Sequence, residues 1–144
     1  MMYMIRDNRF YIAVKAVIFH KEKFLVIKRS NMARGDHYYW EFPGGRLEFG
    51  ESVLDTLNRE LREEVSISAD IIRPLSIWNF MKNKNTEIVG ITYLCKTDVD
   101  KVKLSFEHEK YAWITKEDLS KYNIHPSVLS DISTWDWENI VGEV

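Results

Sequence analysis

One cysteine among 144 residues, Cys95, rules out an intrachain disulfide framework and fits a reducing compartment. Its apolar surroundings point to a buried structural thiol and not to a nucleophile. Apolar runs never approach the roughly 18–20 residues of a membrane span. Charges interrupt Met1–Arg9 too early for the apolar segment of a signal peptide. With only 6 glycines and 3 prolines there is no collagen-like bias, and no linker, repeat or low-complexity stretch stands out. Neither sign of charge dominates: the formal net charge is −2, which argues against binding duplex nucleic acid through many phosphate contacts. The four histidines, His20, His37, His108 and His125, lack metal-ligand spacing, and an exposed side chain is expected for His108. The expectation is a soluble, cytoplasmic protein that forms one domain over residues 1–144.

What is present is an ordinary globular composition, 45% hydrophobic and 29% charged. Alternating β-branched and apolar residues predict strands over Tyr11–Phe19 and Phe24–Arg29, joined as a hairpin by the polar residues between them. A loop follows over Ser30–Tyr38, then a short strand at Trp40–Phe42 that Pro43-Gly44-Gly45 breaks. A helix is expected from Glu51 to about Val65. Strands are expected over Ile67–Trp78 and Glu87–Thr97, with a solvated turn at Lys82–Thr86, and over Tyr111–Ile114. Thr115 is a plausible N-cap for a helix over Lys116–Ser120, and Ser127–Ile140 reads as one final helix. Strands and helices in this order predict a mixed sheet covered by helices.

The helix after the glycines carries the chemistry. Glu60, Glu63 and Glu64 stand at i, i+3 and i+4 and share one face, beside an apolar stripe of Leu54, Leu57, Leu61 and Val65. Three like charges repel one another on a helix, and a divalent cation would offset that repulsion; carboxylate oxygens are what magnesium prefers. In isolation the plainer reading is a solvated acidic face, partly neutralised by Arg59 and Arg62. The surroundings favour the metal. Gly44-Gly45 lets backbone approach a ligand closely, and a helix N-terminus favours phosphate oxygens.

These residues resemble the Nudix box: Gly, five residues, Glu, seven residues, Arg-Glu-hydrophobic, one residue, Glu-Glu, one residue, Gly-hydrophobic. Gly45, Glu51, Arg59-Glu60-Leu61, Glu63-Glu64 and Ile67 fall on its fixed positions; Ser66 stands where the family usually has glycine. That glycine follows the helix, where a left-handed residue is common, and serine reaches that conformation at a cost. The lead-in Trp40–Gly45 and the late segment Glu107–Ile114 resemble the family too, so the likeness spans roughly residues 11–121.

The resemblance implies a Nudix-fold α/β/α sandwich with a mixed central sheet, and a hydrolase that needs Mg²⁺, with Mn²⁺ as the alternative. It implies metal ligation by Glu60 and Glu64, by Glu63 (a ligand or the general base), by the Gly44 carbonyl, and by a late carboxylate, Glu107 or Glu109, that binds metal or deprotonates water. Glu51 and Arg59 resemble a supporting ion pair, and Arg29 and Gly45 resemble phosphate-contacting positions. Trp78 or Phe80, ending a strand that could border the pocket, are candidates for stacking on a base, although packing is the commoner role of such residues. Substrate signatures of other branches are absent. Lys82 and Asn83 lie where diphosphoribose-cleaving members often carry proline, Asn83–Asn85 offers no tyrosine for dinucleoside polyphosphates, and Leu25–Ser30 only partly echoes the coenzyme A signature. By elimination the chain is most similar to mutator-type nucleoside triphosphate pyrophosphohydrolases. ADP-ribose or nucleotide-sugar cleavage is the runner-up, and a nucleotide sensor without hydrolysis the rival from another class. The expected partner is a small nucleotide; many members pair as homodimers, but no interface can be read from the sequence.

Overall fold

The computed structural model describes residues 7–30 and 39–144. Most of the expected loop at residues 30–38, including His37, therefore lies outside the described residues. Seven strands form one sheet: β1 (Arg9–His20), β2 (Lys23–Arg29), β3 (Trp40–Glu41), β4 (Gly44–Arg46), β5 (Asp70–Asn83), β6 (Thr86–Lys96) and β7 (His108–Ile114). The sheet runs β3-β2-β1-β6-β5, with β4 on β1 and β7 on β2. β1 and β6 are parallel and the other pairings antiparallel, so the sheet is mixed.

Helices cover both faces, because side chains of successive strand residues point to opposite sides. Val14, Ala16 and Ile18 of β1 and Leu25 and Ile27 of β2 pack with helix α1 (Val53–Glu64). Val17, Phe19, Phe24 and Val26 pack instead with Ile132, Trp135 and Ile140, contributed by α2 (Pro126–Ile132), α3 (Trp137–Glu143) and the turn between them. This is the expected α/β/α sandwich. Burial on both faces explains why β1 and β2 read as nearly continuous apolar runs. None of the helices among the described residues is long and apolar enough to cross a membrane.

Helix α1 is positioned by its ends and by its apolar stripe. The Ser52 hydroxyl caps it by accepting from the Asp55 N–H at 3.1 Å. Leu57, Leu61 and Val65 are fully buried against the sheet, a contribution of about 1.5–3 kcal/mol each. Leu54 does not complete that stripe: it lies in the first turn and is 45% exposed. At the other end Ser66 adopts φ 58°, the left-handed conformation the box glycine would take, and the helix stops there.

Several boundaries differ from the expected ones. β5 begins at Asp70, not Ile67, because Ile67 is buried in the core beside α1 and not paired in the ladder. The segment Lys116–Lys121 is a 3₁₀ helix, with the Asp118 carboxylate accepting from the Thr115 N–H. The single final helix is two. Ser133 Oγ donates to Ser130 O and Thr134 Oγ1 to Asp131 O, side-chain bonds that compete with helix continuation, and Asp136 then caps a new helix at the Asn139 N–H. Cys95 is buried, as expected, and burial pushes its thiol up to about 12.

Candidate active site

A cavity of about 790 Å³ opens where β4, α1, β5 and α2 meet. Two groups of side chains line it. The first is polar: Lys15, Arg29, Glu41, Gly44, Gly45, Glu60, Glu64 and Glu107. The second is mostly aromatic or neutral: Trp78, Phe80, Thr92, His125 and, as its one acid, Asp131.

The polar group is assembled by the short strand β4. Gly44 pairs with Lys15 and Gly45 with Val14, which lays the glycine backbone along β1. Gly44 has φ +152° and no room for a Cβ, which would meet the Val14 carbonyl and the Lys15 backbone. A Cβ on Gly45 would collide with the Glu60 carboxylate. Helix and loop are therefore in contact at the point where the box begins. Gly44 N–H donates to Glu64 Oε1 at 2.7 Å. Burial pushes the Glu64 carboxyl up to about 7, against the opposing charge of Lys15. Burial also raises Glu60, though Arg59 at 2.9 Å works the other way.

Arg59 organises the approach to the helix. Its Nε donates to Glu51 Oε2 and its NH2 to Glu51 Oε1, both at 2.8 Å. That two-pronged bond holds the Glu51 carboxyl down at about 2. Glu51 Oε1 also accepts from Thr56 Oγ1 at 2.9 Å, so the loop is strapped to the first turns of α1. Arg59 reaches Glu60 and, at 3.4 Å, Glu63 as well.

The expected site residues thus separate. Glu60, Glu64, Glu107, Gly44, Gly45, Arg29, Trp78 and Phe80 line one cavity. Glu51 and Arg59 lie behind it as an ion pair. Glu63 does not line it; its side chain is 59% exposed and turned to Arg59. Of the two late carboxylates, Glu107 lines the cavity, whereas Glu109 pairs with Lys28 at 3.1 Å.

Among the described residues, no group of three or more His, Cys, Asp and Glu side chains is arranged to hold a metal ion. Glu60 is turned onto Arg59, and Glu64 onto the Gly44 amide. The chemistry of the site nevertheless fits a hard divalent cation. Two carboxylates disfavoured as bare anions by burial share a wall with a glycine backbone, and a buried imidazole nitrogen near Glu64 has no hydrogen-bond partner.

Sequence reasoning missed two residues of the polar group, Glu41 and Lys15, and the buried histidine that Glu41 contacts. His108 is not exposed but 4% accessible, and it sits 3.0 Å from Glu41 Oε1. The reason is a register shift between Lys28 and Arg29 that pairs Arg29 with His108 and turns the histidine inward. Glu41, bonded to Arg29 at 3.3 Å, is held down at about 2: burial opposes its ionisation, but Lys15, His108 and Arg29 outweigh it. Lys15 lies on the same β1 face as buried Val17 and donates to the Phe42 carbonyl at 3.3 Å. A lysine in the middle of an apolar strand was the available signal.

In the second group Trp78 and Phe80, two residues apart on β5, stack at 5.9 Å with 16° between their planes. Trp78 Nε1–H donates to Thr92 Oγ1, and Thr92 Oγ1–H donates to Asp131 Oδ2, each at 2.9 Å. The indole is thereby fixed to α2.

A mixed sheet between helices, with an acidic helix facing a glycine turn, is a fold found among known proteins, and the comparisons identify it. The chain matches the NUDIX domain family over residues 9–135 and belongs to it; it is a Nudix hydrolase. The nucleoside triphosphatase NudI of Escherichia coli O139:H28 (strain E24377A / ETEC) is 30% identical over 97 residues, which cover 60% of this chain and 68% of that protein. The MutT protein from Methanosarcina mazei Go1 superposes with a TM-score of 0.82 at 27% identity, covering 92% of this chain and 96% of that one. The NUDIX domain of Shewanella oneidensis NrtR, solved with ADP ribose, superposes at 0.74 with 20% identity over 88% of this chain and 86% of that one, a likeness of fold.

Proposed function

We propose that the protein hydrolyses a nucleoside triphosphate to the monophosphate and pyrophosphate, with Mg²⁺ as cofactor and Mn²⁺ as its substitute. The observation that carries this reading is the double character of the cavity, which has a charged wall at Gly44, Gly45, Glu60, Glu64 and Glu107 and a stacked aromatic pair at Trp78 and Phe80. A nucleotide needs both: cation and amide contacts for its phosphates and a flat apolar surface for its base. The similarity to a nucleoside triphosphatase supports the choice of substrate.

Glu60 and Glu64, with the Gly44 carbonyl, would hold the cation. Bound there, it would neutralise phosphate oxygens and acidify its water. Lys15 and Arg29 bring positive charge to the same wall and would receive phosphate oxygens. Glu107, which lines the cavity, would be a further ligand or would take a proton from water; Glu63 is bonded to Arg59 and would serve the helix face instead. Glu51 and Arg59 would keep the glycine turn and the helix in register, and Trp78 and Phe80 would stack on the base. One assay tests this: phosphoanhydride hydrolysis with Mg²⁺ across triphosphates, oxidised triphosphates, ADP-ribose and nucleotide sugars, with Glu64→Gln as control. Turnover of ADP-ribose far above any triphosphate overturns the substrate. No turnover at all, with thermal stabilisation by a nucleotide, overturns hydrolysis in favour of a sensor.

A further inference from the structure

His108 is enclosed to 0% side-chain exposure between two carboxylates. Its Nε2 is 3.0 Å from Glu41 Oε1, and its Nδ1 is 3.8 Å from Glu64 Oε2. A carboxylate oxygen accepts, so the 3.0 Å approach to Glu41 Oε1 puts the hydrogen on Nε2. Nδ1 is buried and finds no hydrogen bond. A buried polar atom left without a partner asks for a reason.

The backbone ties the same two residues together. Ser105 N–H donates to the Glu64 carbonyl at 3.0 Å, and His108 N–H to the Ser105 carbonyl at 3.2 Å. Ser30 N–H donates to the Glu107 carbonyl at 2.8 Å, which pins the segment to the end of β2. These bonds tie the backbone that carries His108 both to the end of α1 and to the end of β2, beside the one buried carboxylate of α1. Glu64 itself is fixed on its other side by Gly44 N–H at Oε1.

We propose that His108 is a positioning residue for Glu64: anchored by Glu41, its Nδ1 edge closes off the interior to Glu64 Oε2 and keeps that carboxylate directed at the cation site. The proposal rests on the reading of Glu64 as a cation ligand. It concerns the placement of a ligand and is independent of which nucleotide is cleaved. Groups that support metal ligands from behind typically change metal affinity or activity by about 10- to 100-fold when replaced.

Manganese titration by electron paramagnetic resonance, without substrate, tests it in three proteins: wild type, Glu64→Gln and His108→Gln. Glutamine at 108 keeps an amide near the Nε2 position for Glu41 but empties the ring edge facing Glu64. The expected result is a Kd for Mn²⁺ raised roughly tenfold or more in His108→Gln, with kcat lowered and KM little changed. A His108→Gln protein that binds Mn²⁺ as wild type does, while Glu64→Gln binds it weakly, overturns the positioning role alone. A Glu64→Gln protein with unchanged Kd overturns the ligand reading and this proposal with it. Should His108→Gln fail to fold, imidazole ¹⁵N spectra of the wild-type protein decide: a hydrogen on Nε2 and an Nδ1 resonance that moves on adding Mg²⁺ support the proposal, and an Nδ1 resonance indifferent to Mg²⁺ overturns it.

Discussion

Replacing Glu64 by glutamine should stabilise the metal-free protein at pH 8. The Glu64 carboxyl ordinarily titrates near 4.5 in an unfolded chain, and burial pushes it up to about 7 in the folded one. Between those values the folded state binds more protons than the unfolded state, so stability contributed by the neutral carboxyl is lost as the pH rises from 4.5 through 7. At about 1.4 kcal/mol per pH unit the loss comes to about 3 kcal/mol. Glutamine keeps the shape, keeps an oxygen for the Gly44 N–H and never ionises. At pH 5, where Glu64 is protonated, the two proteins should unfold within about 1 kcal/mol of each other. At pH 8 in EDTA, Glu64→Gln should be the more stable by about 3 kcal/mol, roughly 10 °C in Tm. Mg²⁺ at about 1,000 times its Kd should reverse the order, since it adds about 4.1 kcal/mol to wild type and little to the variant. Thermal unfolding at the two pH values, with and without Mg²⁺, measures all four corners. A Glu64→Gln protein less stable than wild type at pH 8 in EDTA, or a difference that ignores pH, refutes the argument.

Three further changes separate the parts of the site. Gly45→Ala drives a methyl group into the Glu60 carboxylate and should lower kcat ten- to hundredfold, a misplacement effect of the expected order, while the folded protein survives a thermal scan. Arg59→Lys forfeits the two-pronged bond to Glu51; it should lower both Tm and kcat, and in the variant the Glu51 carboxyl, read by carboxylate NMR, should titrate at higher pH than in wild type. Thr92→Val leaves the buried Asp131 Oδ2 unpaired, a cost of about 1–3 kcal/mol, and frees the part-buried Trp78 Nε1–H; it should raise KM for the nucleotide more than it lowers kcat. Steady-state kinetics beside denaturant unfolding would show whether the aromatic pair is uncoupled from the polar wall.

The polar wall was legible where its chemistry is local in sequence. Glu60 and Glu64 are one helical turn apart and Gly45 opens a fixed spacing, so period and motif alone bring them to one place. Glu51 and Arg59 were legible for the same reason, and their bond is present. His108 was not, because its inward turn depends on a register shift against β2 that no local pattern announces. Lys15 and Glu41 acquire meaning only when β1 and β3 are laid beside α1 and β7: Lys15 interrupts an apolar strand and Glu41 sits in a short one, but neither strand says what the side chain will face. The same limit applies to the Trp78–Thr92–Asp131 chain, whose members come from β5, β6 and α2. In the C-terminal segment, Ser127–Ile140 reads as one helix, but hydroxyl-to-carbonyl bonds at Ser133 and Thr134 end it, and local sequence does not weigh these against continuation.

Ser66 tests how much of the box glycine's role is backbone conformation. The residue holds φ 58°, which costs a residue with a Cβ about 1–2 kcal/mol relative to glycine. Its hydroxyl returns part of that by donating to the Lys103 carbonyl at 3.2 Å, an exposed bond worth about 0.5–1.5 kcal/mol. Glycine at this position would remove the strain, lose the bond, and add unfolded-chain freedom costing about 0.4–1 kcal/mol. These contributions nearly cancel, so Ser66→Gly should shift stability by less than about 1 kcal/mol and leave Mn²⁺ affinity unchanged. Ser66→Ala keeps the strain and loses the hydroxyl, and should destabilise by about 1 kcal/mol. Ser66→Val adds β-branching to a left-handed position and should destabilise further. Urea unfolding of the three variants gives the order. If Ser66→Gly is strongly stabilising, the hydroxyl bond contributes little and serine is simply tolerated. If it is strongly destabilising, the link from Ser66 to residue 103 anchors the segment that continues to Glu107, and the family's glycine has been exchanged here for a side-chain tether.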